Sequence, residues 1–251
     1  MIDQEELLAT SQGVSASPPR HRRWVMRQDW ERLLFVHWPV SMDELRPLIP
    51  KALEIDTFES QAWLGLVPFH LRIRLRYGPP MPWVFHFPEL NVRTYVRYGG
   101  KRGIYFLRLY APGRVAVTGG RLCYRLPYVR ASMNMRVRSE GVRFSSYVER
   151  NEGRHAEFIA SYAPIGDVVH SRHGSLDYWL TERYHLFTTD AACRLFGAEV
   201  WHDPWPLQNA EADIESNSLP QAHGISQPQE RPLLHYARRL DTWVGPLERL
   251  S

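Results

Sequence analysis

Nine consecutive residues, Glu89-Leu-Asn-Val-Arg-Thr-Tyr-Val-Arg97, constrain the fold more than any other stretch of the chain. Period-two alternation sets Leu90, Val92 and Val96 on one side and Glu89, Asn91, Arg93, Tyr95 and Arg97 on the other, the pattern of a strand and not of a helix. One side of that strand carries a carboxylate, an amide, two guanidinium groups and a phenol. Facing solvent, they form an ordinary charged ladder. Facing the inside of a closed sheet, they must pair with one another or with a ligand, because an unpaired buried polar group costs roughly several kcal/mol. Alternation alone leaves both readings open.

The same period recurs along the chain. Arg32 to Trp38 is apolar on both alternating sides, which suits a strand covered on two faces. Trp63 to Tyr77 ends with Leu71, Ile73, Leu75 and Tyr77 on one face and Arg72, Arg74 and Arg76 on the other. Glu89 to Tyr98 and Ile104 to Tyr110 read as a hairpin around Gly99 to Gly103. Met133–Arg138, Val142–Glu149 and Ala156–Tyr162 are three further expected strands, with Gly141 and Gly153 at the turns. Short strands are expected near Cys193 to Trp201 and Leu233 to Trp243, with Pro204, Pro206, Pro220 and Pro228 making loops between them. Helical signals are few. Ser41-Met-Asp-Glu44 is a capping box opening a short helix to about Leu48, stopped by Pro50. Ser175 caps a second helix, expected to run to Leu186. The proline-rich stretch Gly78 to Pro88 is expected to be irregular. The sum is an α+β arrangement on antiparallel sheet with a few helices.

A length of 251 residues suits one domain from about Arg20 to Ser251 behind a disordered tail, Met1 to Pro19. No apolar run approaches the roughly 20 residues of a membrane span, and Met1 to Ser17 lacks the basic start and apolar core of a secretory signal. Two cysteines, Cys123 and Cys193, exclude a disulfide framework or a thiolate zinc site, so a reducing cytoplasm is the expected compartment. The net charge of +4 is too small and too evenly spread to indicate nucleic acid. No dinucleotide fingerprint, P-loop or Gly-x-Ser-x-Gly elbow is present.

Lysine occurs only at Lys51 and Lys101 among 31 basic residues, and arginine cannot serve as an amine nucleophile. His170 and His173 sit in a Gly/Ser-rich stretch without a third ligand at recognisable spacing, so no metal is expected. His37, on an apolar strand, reads as a hydrogen-bonded core residue. Arg72, Arg74 and Arg76 read as a solvated face ahead of an anion-binding or oligomer surface. Glu182-Arg183 reads as a structural ion pair.

Several motifs together resemble a known family. Leu45-Arg-Pro-Leu-Ile-Pro-Lys-Ala-Leu-Glu-Ile-Asp56, after a strand and a capped helix, resembles the opening of acetoacetate decarboxylase-like proteins. Trp38-Pro-Val, Trp63-Leu-Gly-Leu-Val-Pro-Phe69, Glu89-Leu-Asn-Val-Arg-Thr-Tyr95, Leu126-Pro-Tyr128 and Leu180-Thr-Glu-Arg-Tyr184 are similar to the YqjF-like branch of that superfamily. The likeness runs from about Trp24 to Trp243. It implies a partly closed antiparallel β-barrel or sheet with helices outside, a buried cavity, and assembly into homo-oligomers.

In the decarboxylases a cavity lysine forms a Schiff base with a β-keto acid, its pKa lowered by a second lysine and an apolar setting, and a glutamate completes the site. The family's arginine-to-proline segment matches Arg121 to Pro127, which puts Tyr128 in the place of the reactive lysine and Glu89 in the place of the glutamate. The glutamate carries over and the lysine does not, so Schiff-base decarboxylation is not expected. What the resemblance leaves is Glu89 as a general acid or base and Tyr128 as a hydrogen-bond donor, with Arg93, Tyr95, Arg121 and Asn91 around a ligand. The expected role is binding of a small anionic or carbonyl-bearing molecule in a polar-lined hollow, with lyase-type or proton-transfer chemistry and no cofactor. A non-catalytic binding or sensing module, and a structural oligomer subunit, are the alternatives. No nucleic-acid or membrane partner is expected.

Overall fold

Because side chains alternate across a strand, one inserted residue exchanges the two faces, and two such insertions shape this protein. The computed structural model describes residues 23–77, 85–151 and 154–250. β1 (Met26–Val40) leads through helix α1 (Met42–Leu45), a 3-10 turn (Arg46–Leu48) and β2 (Glu54–Ile55) to β3 (Ala62–Leu75). β4 (His86–Tyr98) and β5 (Lys101–Ala111) form the hairpin, followed by helix α2 (Arg114–Tyr124) and β6 (Tyr128–Arg130). β7 (Ser132–Arg138), β8 (Gly141–Asn151) and β9 (Arg154–Val169) form a meander that leads to helix α3 (Leu176–Thr181). β10 (His185–Thr189), β11 (Leu195–His202), β12 (Leu207–Asn217), helix α4 (Leu219–Ala222), β13 (Leu233–Val244) and β14 (Glu248–Arg249) complete the order.

All strands belong to one sheet. Pairing of β11 with β13 closes β1, β3, β4, β5, β10, β11 and β13 into a ring, while β12, β9, β8 and β7 continue outward from β13. Most pairs are antiparallel, as expected; β5 runs parallel to β10 and to β6. Two apolar cores follow. One fills the ring with Leu33, Phe35, Phe69, Phe106 and Trp205. The other lies between the ring's outer face, including Leu34, Leu66 and Val92, and the outer strands carrying Phe144 and Phe158. The strand Leu90 to Val96 is therefore buried on both faces, and its polar row is not a solvent ladder.

The insertions set which residues point inward. Arg32 takes a left-handed conformation (φ 53°) in β1 where the register with β3 shifts, so that Trp30 and Leu33 both face the ring core. In β5 the pairing skips Leu107, which brings Leu109 rather than Arg108 opposite Asn91. Gly99 and Gly100, both at positive φ, make a two-residue turn closed by Tyr98 and Lys101, tighter than the five-residue turn expected.

Ser41 and Ser175 cap their helices as expected, each accepting a backbone N–H of the first turn. The helix from Ser175 stops at Thr181, short of Leu186, because the following residues are drawn into β10. β12 replaces an expected loop; Leu207 is buried in the ring core, while Ala210, Ala212 and Ile214 pack against the outer core on alternate positions. Pro88 is paired within β4, beyond Leu90, the last residue bonded to β5, so its missing N–H breaks no bond on that side. The expected tail lies outside the described residues. Among those described, no helix is long and apolar enough to cross a membrane.

Glu182 and Arg183 do not pair with each other, contrary to the reading above. Glu182 accepts hydrogen bonds from the Tyr184 hydroxyl (2.6 Å) and the Trp205 amide (2.9 Å). Arg183 instead donates to Asp56 at 2.6 Å, stacked between Tyr95 and Trp179. Asp56, fully buried, also holds Arg97, so one carboxylate ties α3 to the β2–β4 corner. Asp56→Ala leaves Arg183 charged and unpaired in the interior and is expected to lower stability by about 3–5 kcal/mol, read from the urea midpoint.

Candidate active site

Four polar side chains from two strands, Glu89, Asn91 and Arg93 of β4 and Tyr128 of β6, converge on one cavity. Strand β4 turns Glu89, Asn91, Arg93 and Tyr95 inward, all buried. Across the sheet on β3 they meet Phe69, Val67 and Gly65, paired with Glu89, Asn91 and Arg93 respectively. Gly65 is needed there: a Cβ would lie 3.1 Å from the His37 ring and 3.3 Å from the Arg93 side chain.

Tyr128 arrives by a different route. Helix α2 ends at Arg125 in a left-handed conformation, with the Leu126 N–H returned to the Gly120 carbonyl, and Pro127 then sends the chain into β6 beside β5. The Tyr128 ring lies against α2, and a Cβ on Gly120 would come within 2.4 Å of its edge. The Gly119-Gly120 pair, unhelpful to a helix by propensity, is the sequence mark of this contact. From there the Tyr128 hydroxyl donates to Glu89 Oε2 at 2.7 Å.

Burial governs the electrostatics. It pushes the Glu89 carboxyl up to about 8, against the opposing hydrogen bonds from Tyr128 and Asn91. The Tyr128 phenol is driven well above its ordinary value, by burial first and by Glu89 next. Arg93 does not offset Glu89. Its guanidinium, only 6% exposed, lies over the Phe35 and Tyr95 rings at 5.2 and 5.7 Å and reaches the Leu180 carbonyl at 3.5 Å. Its Nε has no partner, and among the described residues no carboxylate forms an ion pair with it. The Asn91 Oδ1 is likewise unpartnered.

Glu89, Asn91, Arg93 and Tyr128 border a cavity of about 310 Å³. Its remaining walls are mostly apolar, with Trp30, Phe69, Phe87 and Phe106 prominent. The hollow is thus polar at the Glu89 end and otherwise hydrocarbon, where a generally polar lining was expected; the two insertions put hydrophobic residues inward.

The structure separates the other two expected binding residues from this group. Tyr95 makes a 2.6 Å hydrogen bond with His37 and packs against Trp179, outside the cavity lining. His37, the core histidine anticipated, is held far below its usual range by burial and then by Arg93. Arg121 is exposed and donates to the Tyr128 carbonyl at 2.7 Å, bracing the backbone from outside. Lys51 and Lys101 are exposed and border no part of the cavity. Arg72, Arg74 and Arg76 face solvent, Arg74 bonded to Asp29. Among the described residues no three His, Cys, Asp or Glu side chains cluster to hold a metal.

Comparison with known proteins follows the same outline. A family model, DUF2071, described as an uncharacterized conserved protein, matches residues 27–241. The uncharacterized protein YqjF of Bacillus subtilis (strain 168) is 46% identical over 229 residues, spanning 91% of this chain and 93% of its own. Among solved structures, the enduracididine biosynthesis enzyme MppR complexed with pyruvate superposes with a TM-score of 0.66 at 14% identity, over 96% of this chain and 94% of the other. Acetoacetate decarboxylase from Legionella pneumophila gives 0.57 at 12% identity, over 96% of both chains. These structural likenesses are of fold.

Two outcomes test the site. Gly120→Ala is expected to displace the Tyr128 ring and destabilise the protein by roughly 1–3 kcal/mol, seen as a lower urea midpoint. The raised Glu89 pKa means that the folded state keeps a proton the unfolded chain has released, so this group's contribution falls as pH rises from about 4.5 to about 8 and is constant above. Relative to wild type, Glu89→Gln should therefore gain stability across that window, measured by denaturation at pH 5, 6.5 and 8.

Proposed function

The chain belongs to the DUF2071 family and shares the fold of the acetoacetate decarboxylase-like enzymes, and from that footing we propose that it binds a small oxo acid and moves a proton on it without an imine. The observation that carries this reading is the pairing of a proton-holding carboxyl, Glu89, with Tyr128 beside a buried arginine that lacks a counter-charge. A ligand carboxylate supplies the charge Arg93 is missing, in the bidentate geometry guanidinium favours. The pyruvate named for the MppR structure is of that chemical class.

With the acid held at Arg93, the neighbouring oxo group lies toward Asn91 and Tyr128. At pH 7 roughly a tenth of Glu89 is ionised, given a pKa of about 8. That fraction takes the proton from the carbon next to the oxo group. Once Glu89 is protonated, the Tyr128 hydroxyl no longer faces a carboxylate and turns to the developing enolate oxygen. Return of the proton from Glu89 completes an exchange, and the same enolate is the branch point for lyase-type bond cleavage. Lysine has no part in these steps.

The test is deuterium uptake at C3 of 2-oxobutanoate in heavy water, followed by proton NMR. Wild type should exceed the uncatalysed rate, with a pH profile rising to a plateau above about 8 as Glu89 ionises. Glu89→Gln should lose at least about 100-fold, and Tyr128→Phe should lose less. Binding without exchange would assign the chain to sensing instead. A borohydride-trapped adduct on Lys51 or Lys101 would overturn the imine-free mechanism.

A further inference from the structure

The cavity is larger and greasier than a three-carbon acid needs. We infer that the ligand carries a medium-length hydrocarbon tail, its carboxylate at Arg93 and its tail leading past Phe69, Phe87 and Phe106 toward the exposed rim at Val115 and Leu75. This inference rests on the oxo-acid reading for the head group and adds the class of molecule.

Wall chemistry is the first ground. Away from Glu89, Asn91, Arg93 and Tyr128, the polar side chains in the lining are Gln28, Trp30, Tyr124 and the Cys123 thiol; the Tyr124 hydroxyl donates to the Gly245 carbonyl at 2.8 Å, and Gln28 is engaged internally. Its Oε1 accepts from the Trp30 indole at 2.8 Å and its Nε2 contacts the Met26 sulfur at 3.2 Å. The walls therefore offer a substituent no free amide, hydroxyl or charge, and favour methylene or aromatic groups.

Size is the second. An engineered apolar cavity of about 150 Å³ accommodates benzene, so 310 Å³ has room for on the order of ten carbons. A three-carbon acid would leave much of that wall without contact partners, forfeiting dispersion attraction along it.

The rim is the third. Leu75 is 43% exposed and Val115 59% exposed, and both border the cavity. Isolated exposed apolar residues are unremarkable, but these are continuous with an apolar interior, where a tail would cover them. Helix α2 presents Val115, Ala116, Gly119 and Cys123 on this side, and a Cβ on Gly119 would meet nothing within 4 Å. That open space is where a tail passes.

The experiment is calorimetric titration of the full chain with straight-chain 2-oxo acids of four to ten carbons, with octan-1-ol as the uncharged probe. Affinity should rise roughly three- to fourfold per added methylene, on the order of 100-fold from 2-oxobutanoate to 2-oxooctanoate. Gly119→Phe, which places a ring in the passage, should collapse that ratio to near one, and Val115→Asp at the exposed rim should reduce it at least fivefold. A flat series, or one that Gly119→Phe leaves as steep as wild type, overturns the tail. A flat series with 2-oxobutanoate still bound leaves the oxo-acid reading intact. If octan-1-ol binds as tightly as 2-oxooctanoate and Arg93→Gln weakens neither, the acid head is overturned while the apolar passage stands. Failure of every probe to bind overturns both.

Discussion

Everything at the candidate site depends on β4 being covered on both faces. Were only the apolar side buried, Glu89, Asn91 and Arg93 would be hydrated and chemically ordinary. The outer strands carrying Phe144 and Phe158 bury one side, and closure of the ring through β11 and β13 buries the other. The polar row is thereby confined to an interior where each group is either partnered or waiting for a partner. Glu89 is partnered by Tyr128 and keeps its proton; Arg93 cannot discard its charge and is left with ring faces and one distant carbonyl.

Local chemistry made part of this legible in the sequence. A Ser41 or Ser175 cap acts within one helical turn, and the alternation from Glu89 to Arg97 needs only its own residues, so both are found where read. The Glu89–Tyr128 contact, spanning 39 positions, was reached through family resemblance and not through periodicity. Features set by tertiary contact were not legible. The left-handed Arg32 and the skipped Leu107 change which residues face inward, and nothing in their immediate neighbourhood signals an insertion. Helix α2 is masked by Gly119-Gly120, because the reason for Gly120 is a tyrosine ring eight residues later. The inward placing of Trp30 with Leu33 and of Leu109 depends on those insertions, and that part of the cavity's hydrocarbon wall could not be read before them.

The resemblance to acetoacetate decarboxylases would set Tyr128 in the place of their lysine, and the charge logic of such a pocket differs from theirs. A cavity lysine must be rendered neutral to attack a carbonyl, which is why a decarboxylase site of that kind lowers its pKa. Here burial acts on two acids and holds both protonated near neutrality, so their mutual hydrogen bond joins neutral groups and avoids the cost of isolating an ion in an apolar setting. The remaining charge at this end of the cavity is Arg93. An anion entering the pocket therefore meets a net positive floor below the Glu89 pKa and a neutralised one above it.

In the proposed reaction that arrangement would link binding to proton transfer in a specific sense. An anionic head beside Glu89 opposes its ionisation, so the state that binds best is not the state that abstracts a proton best. Arg93 would ease the conflict by taking the proposed head's charge at the next-but-one inward position from Glu89, with the neutral Asn91 amide between them along β4. Asn91 donates toward Glu89 and keeps its own oxygen free, so it separates the two ionic sites without adding a charge to either. A longer apolar ligand strengthens the arrangement further, because affinity drawn from the walls does not depend on ionisation. Binding energy from the proposed tail would then hold the head in place even when Glu89 is charged, the condition under which the proposed proton transfer would occur.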